Sequence, residues 1–153
     1  MDFAYLYTSF DGRINRAKYW LATIILLILI LVIMFGIGFA LGMAMDPEDF
    51  KLKAVIFVFQ LITLYPSAAV MVKRLHDRNR PGYFAAFMLG PIILKSATDL
   101  LGLTGDLEHQ GALDYLFLAA TLGVGIWFFI ELGCLRGTIG DNQYGPDPLA
   151  GKV

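Results

Sequence analysis

The residues best suited to proton chemistry are the adjacent His76 and Asp77. They sit in the most basic short window of the chain, residues 73–82, with Lys73, Arg74, Arg78 and Arg80. An imidazole titrates near neutrality, so His76 has the makings of an acid, a base or a metal ligand, and Asp77 or Asp141 is the carboxylate that would orient it. Adjacency along a chain does not by itself make a dyad, however. The other histidine, His109, lies in a separate acidic loop with Asp106 and Glu108, and Cys134 is the single cysteine. A His-Asp-Asp set is a weak zinc site, and one thiol makes neither an intrachain disulfide nor a cysteine-based metal site. The sequence carries no nucleophile-base set, phosphate loop or metal-ligand spacing. The expectation is therefore no catalytic residue, no cofactor and no metal.

Membrane helices must position these residues. The 153-residue chain, one domain by length, is 58% hydrophobic and only 16% charged, with a mean hydropathy of +0.66. Charged residues make up about 25% of a water-soluble domain, so this chain has too little polar surface for one. Residues 21–45 carry no charge and as a helix would be about 37 Å long, against about 30 Å of bilayer hydrocarbon. That is too long for the apolar region of a signal peptide. Gly38 and Gly42, one turn apart, would let another helix approach closely. Asn15 is placed to cap a short interfacial helix through Arg16 and Tyr19 ahead of this span. The acidic residues 45–49, with Pro47, would end it.

A second span covers 54–72 and holds Gln60, Thr63, Tyr65, Pro66 and Ser67, so a kink near Pro66 facing the bundle interior is predicted. The third, 83–103, places Lys95 and Asp99 in its outer half on one helix face, where they can pair. Ionisable groups at such depth are functional candidates, although Lys95 can also reach the interface with its long stem. The last span, 114–135, carries Glu131 near its end. The tail from Arg136 to Pro148 is dense in turn formers and reads as non-helical.

Charge sets the orientation. Arg13, Arg16 and Lys18 precede the first span, Lys73, Arg74, Arg78 and Arg80 lie between the second and third, and Arg136 and Lys152 follow the fourth. Only Lys51, Lys53 and Lys95 fall on the other side, among seven carboxylates. The positive-inside bias then predicts an all-α polytopic protein with four transmembrane helices, both termini cytoplasmic, and inner-face segments 1–20, 73–82 and 136–153. The net charge of -1 argues against a nucleic-acid partner, which needs a basic face to offset phosphate.

Three inner-face motifs stand out: Phe10, Gly12, Arg13 and Arg16 with Tyr19 and Trp20; Arg74, Leu75, His76 and Asp77; and Gly137 and Thr138 with Asn142, Tyr144, Gly145, Asp147 and Pro148. In order and spacing they resemble the bacterial inner-membrane family called domain of unknown function 805, over nearly the whole chain. The chain departs from the family pattern at Lys73, where a second arginine is common, and at Asn79, Arg80 and Pro81. The resemblance implies a fold and a bacterial inner-membrane location, and no mechanism.

The motifs are expected to act as a polar latch. Arg74 would pair with Asp77 or Glu131, because a buried carboxylate needs a partner, and Asn142 with Tyr144 and the glycine-rich tail would close over the 73–82 loop by backbone hydrogen bonds. Arg13 and Arg16 emerge where anionic headgroups lie, so the expected function is an interaction or structural module, not an enzyme. Its basic face would contact anionic lipid or a protein partner, each cation contributing roughly 1 kcal/mol. The alternative is a small-solute or ion transporter acting as a homo-oligomer, with Gln60, Lys95, Asp99 and Glu131 along its path.

Overall fold

A computed structural model describes residues 2–42, 49–105 and 110–151. The acidic turn expected at 45–48, the end of the first span, the loop residues Asp106, Glu108 and His109, and Lys152 lie outside the described residues. Those described form helices and no strand, apart from an isolated bridge between Asn142 and Gly145.

The chain opens with a short helix that the sequence reading did not anticipate, α1 (Phe3–Thr8), capped by the Asp2 carboxylate accepting from the Tyr5 amide. Next comes α2 (Arg16–Gly42). Asn15 does cap it, accepting from the Lys18 amide at 2.9 Å. The helix that starts there is not a separate interfacial piece, because no breaker interrupts the apolar run that follows and α2 continues straight into it. α3 (Phe50–Asp77) starts on the Asp49 side chain and runs through Pro66. A 3-10 turn (Gly82–Phe84) leads into α4 (Ala85–Leu100). α5 (Ala112–Phe128) then continues as a π-helical segment over Phe129–Cys134.

Two helix ends explain the chain's course. At the end of α3, Asn79 adopts a left-handed conformation (φ 56°), its amide bonding the His76 carbonyl while the Arg80 amide reaches Leu75. That paired closure is a Schellman motif, with asparagine where glycine is more usual and Pro81 following to prevent continuation. The same device ends α4: Gly102 (φ 66°) bonds Asp99, and Leu103 bonds Thr98. The third span, expected to be helical over 83–103, is therefore α-helical only over 85–100. Sixteen residues rise about 24 Å, short of the roughly 30 Å hydrocarbon core. α2, α3 and α5 with its π segment are long and apolar enough to cross a membrane.

α3 is the central element. α1, α2, α4 and the π segment of α5 pack on it, and α4 joins α3 to α5. Apart from Leu52 near the start of α3, the buried apolar residues gather at one end of this assembly, where α3 terminates. One cluster is Val72, Leu75, Ala85, Phe128 and Leu132, and the other is Leu6, Ile14, Ala22 and Val70. Elsewhere the surface is oily: Leu31, Phe35 and Phe39 of α2 are more than half exposed, and the most apolar window of that helix buries nothing. Such a surface needs lipid around it. A side chain at Gly38 would meet no neighbour, so among the described residues no other helix approaches closely there.

Candidate functional site at the arginine-rich end

Arg74 leaves the last turn of α3 and is fully buried. Its Nε donates to the Leu132 carbonyl at 2.7 Å and its Nη2 to Leu135 at 2.6 Å. Its Nη1 reaches Ile14 and pairs with the Asp77 carboxylate one turn on. The acceptors exist because the end of α5 is π-helical, with the Leu135 amide reaching back to Ile130. The last carbonyls of any helix lack intrahelical donors, and widening the final turn turns them outward as a row. Arg16 takes the Cys134 carbonyl at 2.9 Å and the Trp20 indole takes Gly133. Cations at a helix C-terminus are also favoured by the helix dipole.

Asp77 has a second arginine. Arg13, buried like Arg74, donates through Nε and Nη2 to Asp77 Oδ1 at 3.2 and 3.1 Å. Its remaining donors go to the tail: Thr138 at 2.7 Å, Gly140 at 2.8 Å and Gly145 at 3.1 Å, all backbone carbonyls. The backbone carbonyl of Asp77 in turn accepts from the Thr138 amide and hydroxyl. Gly137 is obligatory here, because a Cβ at that position would overlap the Asp77 carboxylate. One carboxylate and two guanidinium groups thus bind the N-terminal segment, α3, the end of α5 and the tail into a single network.

His76 faces elsewhere. Its Nδ1 lies 3.3 Å from the Gly12 carbonyl, and its ring stacks on Tyr144 with centroids 3.8 Å apart and planes within 3°. Its backbone carbonyl accepts from Asn142 Nδ2 at 2.9 Å, and the same nitrogen also reaches the Thr138 hydroxyl. Neither carboxylate considered as its orienting partner fills that role: Asp77 is taken by the two arginines, and Asp141 accepts the Asp147 amide. Within the tail, the Asn142 carboxamide also accepts from Tyr144, and the Asp147 carboxylate collects the Leu149 and Gly140 amides. Those two amide bonds hold the Asp147 carboxyl below its ordinary pKa.

Glu131, placed by the π segment, pairs with Arg78 at 3.3 Å and with Arg80 at 3.4 Å, both beyond the α3 terminus, and not with Arg74. The reason is depth, since Arg74 is already committed to Asp77 and to the carbonyls above. The sequence reading also passed over Lys73. Fully buried, it donates to the carbonyls of Tyr5 at 3.0 Å, of Leu6 at 2.8 Å and of Ser9, closing the end of α1. A cation at the start of the basic window was the signal. What the sequence does not display is α1 itself, because six residues make no periodic pattern.

Packing at this end is nearly complete. The cavity beside Arg74, Asp77 and Thr138 holds about 30 Å³, room for about one water. Among the described residues no buried side-chain nitrogen or oxygen lacks a hydrogen-bond partner, and no group of three His, Cys, Asp or Glu could hold a metal.

Arg13, Lys73, Arg74, His76, Asp77, Glu131, Thr138 and Asn142 all fall inside residues 7–146, the stretch matched by the family model described as a protein of unknown function, DUF805. The chain belongs to the DUF805 family. Escherichia coli (strain K12) relatives run along almost its whole length. Inner membrane protein YhaI is 29% identical, covering 95% of this chain and 91% of its own. A protein named uncharacterized protein YiiR is 32% identical, covering 91% and 85%. Inner membrane protein YhaH is 24% identical, covering 93% and 88%. No solved structure matches. With its long apolar helices, this DUF805 chain is a membrane protein.

The remaining expected site residues, Lys95 and Asp99, are at the other end of the bundle. They pair with each other, and Lys95 also reaches Asp114 at 3.1 Å. Gln60 bonds Ser96 and the Ile92 carbonyl. Glu131 is at the arginine end, so within one DUF805 chain Gln60, Lys95 and Asp99 stand apart from it.

Proposed function

We propose that this DUF805 protein is a non-enzymatic interaction module of the bacterial inner membrane, whose latched inner face presents cations to anionic lipid headgroups. The single observation that carries this reading is the division of labour among its basic residues. Arg13, Lys73 and Arg74 spend their donors inside the network, while Arg16, Lys18, Arg80 and Arg136 lie exposed around it. Cations held inside are no use to a partner. Those on the rim each add about 1 kcal/mol beside an anionic surface.

In this reading both termini and the 73–82 turn are cytoplasmic, and the chain crosses the bilayer four times, with α4 and its leading 3-10 turn as the short third crossing. The charge distribution and the gathering of all three motifs at one end support it. Cysteines at Ser9 and Thr104 in a Cys134→Ser background should label from opposite faces of the membrane. Labelling of both from one face would overturn the topology.

The lipid contact is tested with reconstituted protein and spin-labelled phosphatidylglycerol against phosphatidylcholine. The motionally restricted anionic fraction should drop several-fold at low salt in a Lys18→Gln, Arg80→Gln, Arg136→Gln variant. An unchanged preference for the anionic lipid would sink the proposal.

A further inference from the structure

The end remote from the arginines holds a cavity of about 640 Å³, within the range of small-molecule sites. It lies in the gap between α3 and α5, with α4 as its back wall. α3 packs on the α5 line chiefly through the π segment at the opposite end, so the two helices stand apart here. Ile56 and Phe57 of α3 and Phe117 and Leu118 of α5 supply apolar walls. The polar groups collect at the outer rim: Lys53, Lys95, Asp99 and Asp114, together with Thr104.

These charged groups are not equivalent. Asp114 is sealed, with Oδ2 accepting the Gly105 and Gly111 amides and Oδ1 facing Lys95. It holds the loop after α4 onto the start of α5. Lys95 and Asp99 pair with each other yet leave about a third of each side chain exposed, at 32% and 37%. The rim therefore offers an accessible cation and an accessible anion side by side above an apolar slot. That pattern complements a ligand with adjoining ammonium and phosphate charges on an alkyl tail.

We propose that this cavity is a binding site for a bilayer phospholipid with a zwitterionic, primary-amine headgroup. The ammonium lies against Asp99, the phosphate against Lys95 with Lys53 nearby, and an acyl chain runs along Phe57, Phe117 and Leu118. The site is independent of the inner face: it uses none of the latch residues and selects a neutral headgroup where the rim of arginines selects an anionic one.

The test counts lipids retained on the detergent-solubilised protein by native mass spectrometry. The probes are phosphatidylethanolamine, phosphatidylglycerol of the same chains, and phosphoethanolamine without chains. Phosphatidylethanolamine should be retained at about one per chain, with phosphatidylglycerol and free phosphoethanolamine each at least about tenfold weaker. Asp99→Asn should lose the headgroup preference, and Leu118→Trp should fill the slot and abolish retention. Both variants should melt within a few degrees of the parent, because Leu118 is half exposed and Asp114 keeps its amide partners. Equal retention in Leu118→Trp, or phosphatidylglycerol bound as well as phosphatidylethanolamine, overturns the proposal. Phosphoethanolamine binding as tightly as the lipid overturns it too, because the apolar slot would then play no part.

Discussion

The two ends of this bundle are built from the same residue types and come out opposite. At the arginine end, Asp77 lies between Arg13 and Arg74 with all three side chains at most 3% exposed, and the adjacent void holds about one water. At the far end Lys95 sits between Asp99 and Asp114, but the Lys95–Asp99 pair remains about a third exposed and borders some 640 Å³ of open space. Along α3 the two layers are separated by the rise from Lys53 to Lys73, about 30 Å, the thickness of a bilayer's hydrocarbon. What differs is the supply of backbone. The arginine end has loose carbonyls to offer: those from the π-helical end of α5 and the glycine-rich tail satisfy guanidinium donors that two carboxylate oxygens could not, and those at the end of α1 satisfy the Lys73 ammonium. Among the described residues, the far end offers Asp114 the Gly105 and Gly111 amides and Asp99 the Thr104 hydroxyl. Burial of charge follows the availability of hydrogen-bonding backbone, not the number of charges.

Removing one carboxylate from each charged group, Asp77 at one end and Asp99 at the other, tests that contrast most severely. Asp77→Ala leaves two buried guanidinium groups without their anion and should cost about 3–5 kcal/mol, seen as a large fall in melting temperature in detergent. Asp99→Ala, at an exposed pair, should cost about 1 kcal/mol or less. Comparable losses at the two sites would break the comparison.

Next in size is the steric test. Gly137→Ala drives a methyl group into the Asp77 carboxylate and should destabilise by about 1–3 kcal/mol in chemical unfolding. Gly123→Ala, where a Cβ meets nothing, serves as the control and should change stability little.

Asn142→Ala sharpens the account of the tail. It removes donors to the His76 carbonyl and the Thr138 hydroxyl, worth about 1 kcal/mol in net terms. Amide exchange should quicken from Gly137 to Gly145 with α5 unaffected. Acceleration spreading equally into α5 would mean that the tail is not a separable closure.

The smallest effect is on pH. Because the Leu149 and Gly140 amides depress the Asp147 pKa in the folded protein, its contribution is complete above the ordinary carboxylate value of about 3.9 and fades as pH falls from there through the folded value. Tail protection should weaken below about pH 4 and the Asp147→Asn variant should lose that dependence. A profile that weakens instead with rising pH would contradict the sign.

Much of the arginine end was legible in advance, for a definite reason. Arg13, Arg16, Arg74, Asp77 and Asn142 stand in polar segments that flank long apolar ones and Glu131 stands near the end of the last span, and a membrane protein folded through its apolar spans has few places to put them. Which cation meets which carboxylate was not legible. Glu131 pairs with Arg78 and Arg80 because a π segment sets its depth, and nothing in the residues from Phe129 to Cys134 announces a wider turn. The length of α4 was misjudged because Gly102 was taken as part of a hydrophobic run when its left-handed conformation ends the helix. Lys73 went unassigned because its partner is a helix six residues long.

By itself the sequence determined the solvent, the membership and the charge layout: 153 residues with this hydropathy and three separated polar motifs define a membrane chain of the DUF805 family with a basic face. These are properties of composition and order, and they survive any particular packing. Only the tertiary structure decided that His76 stacks on Tyr144 instead of facing a carboxylate, that one end is closed and that the other keeps a cavity. Those outcomes depend on where helix ends release their carbonyls, and that is settled in three dimensions by neighbours far apart in the chain.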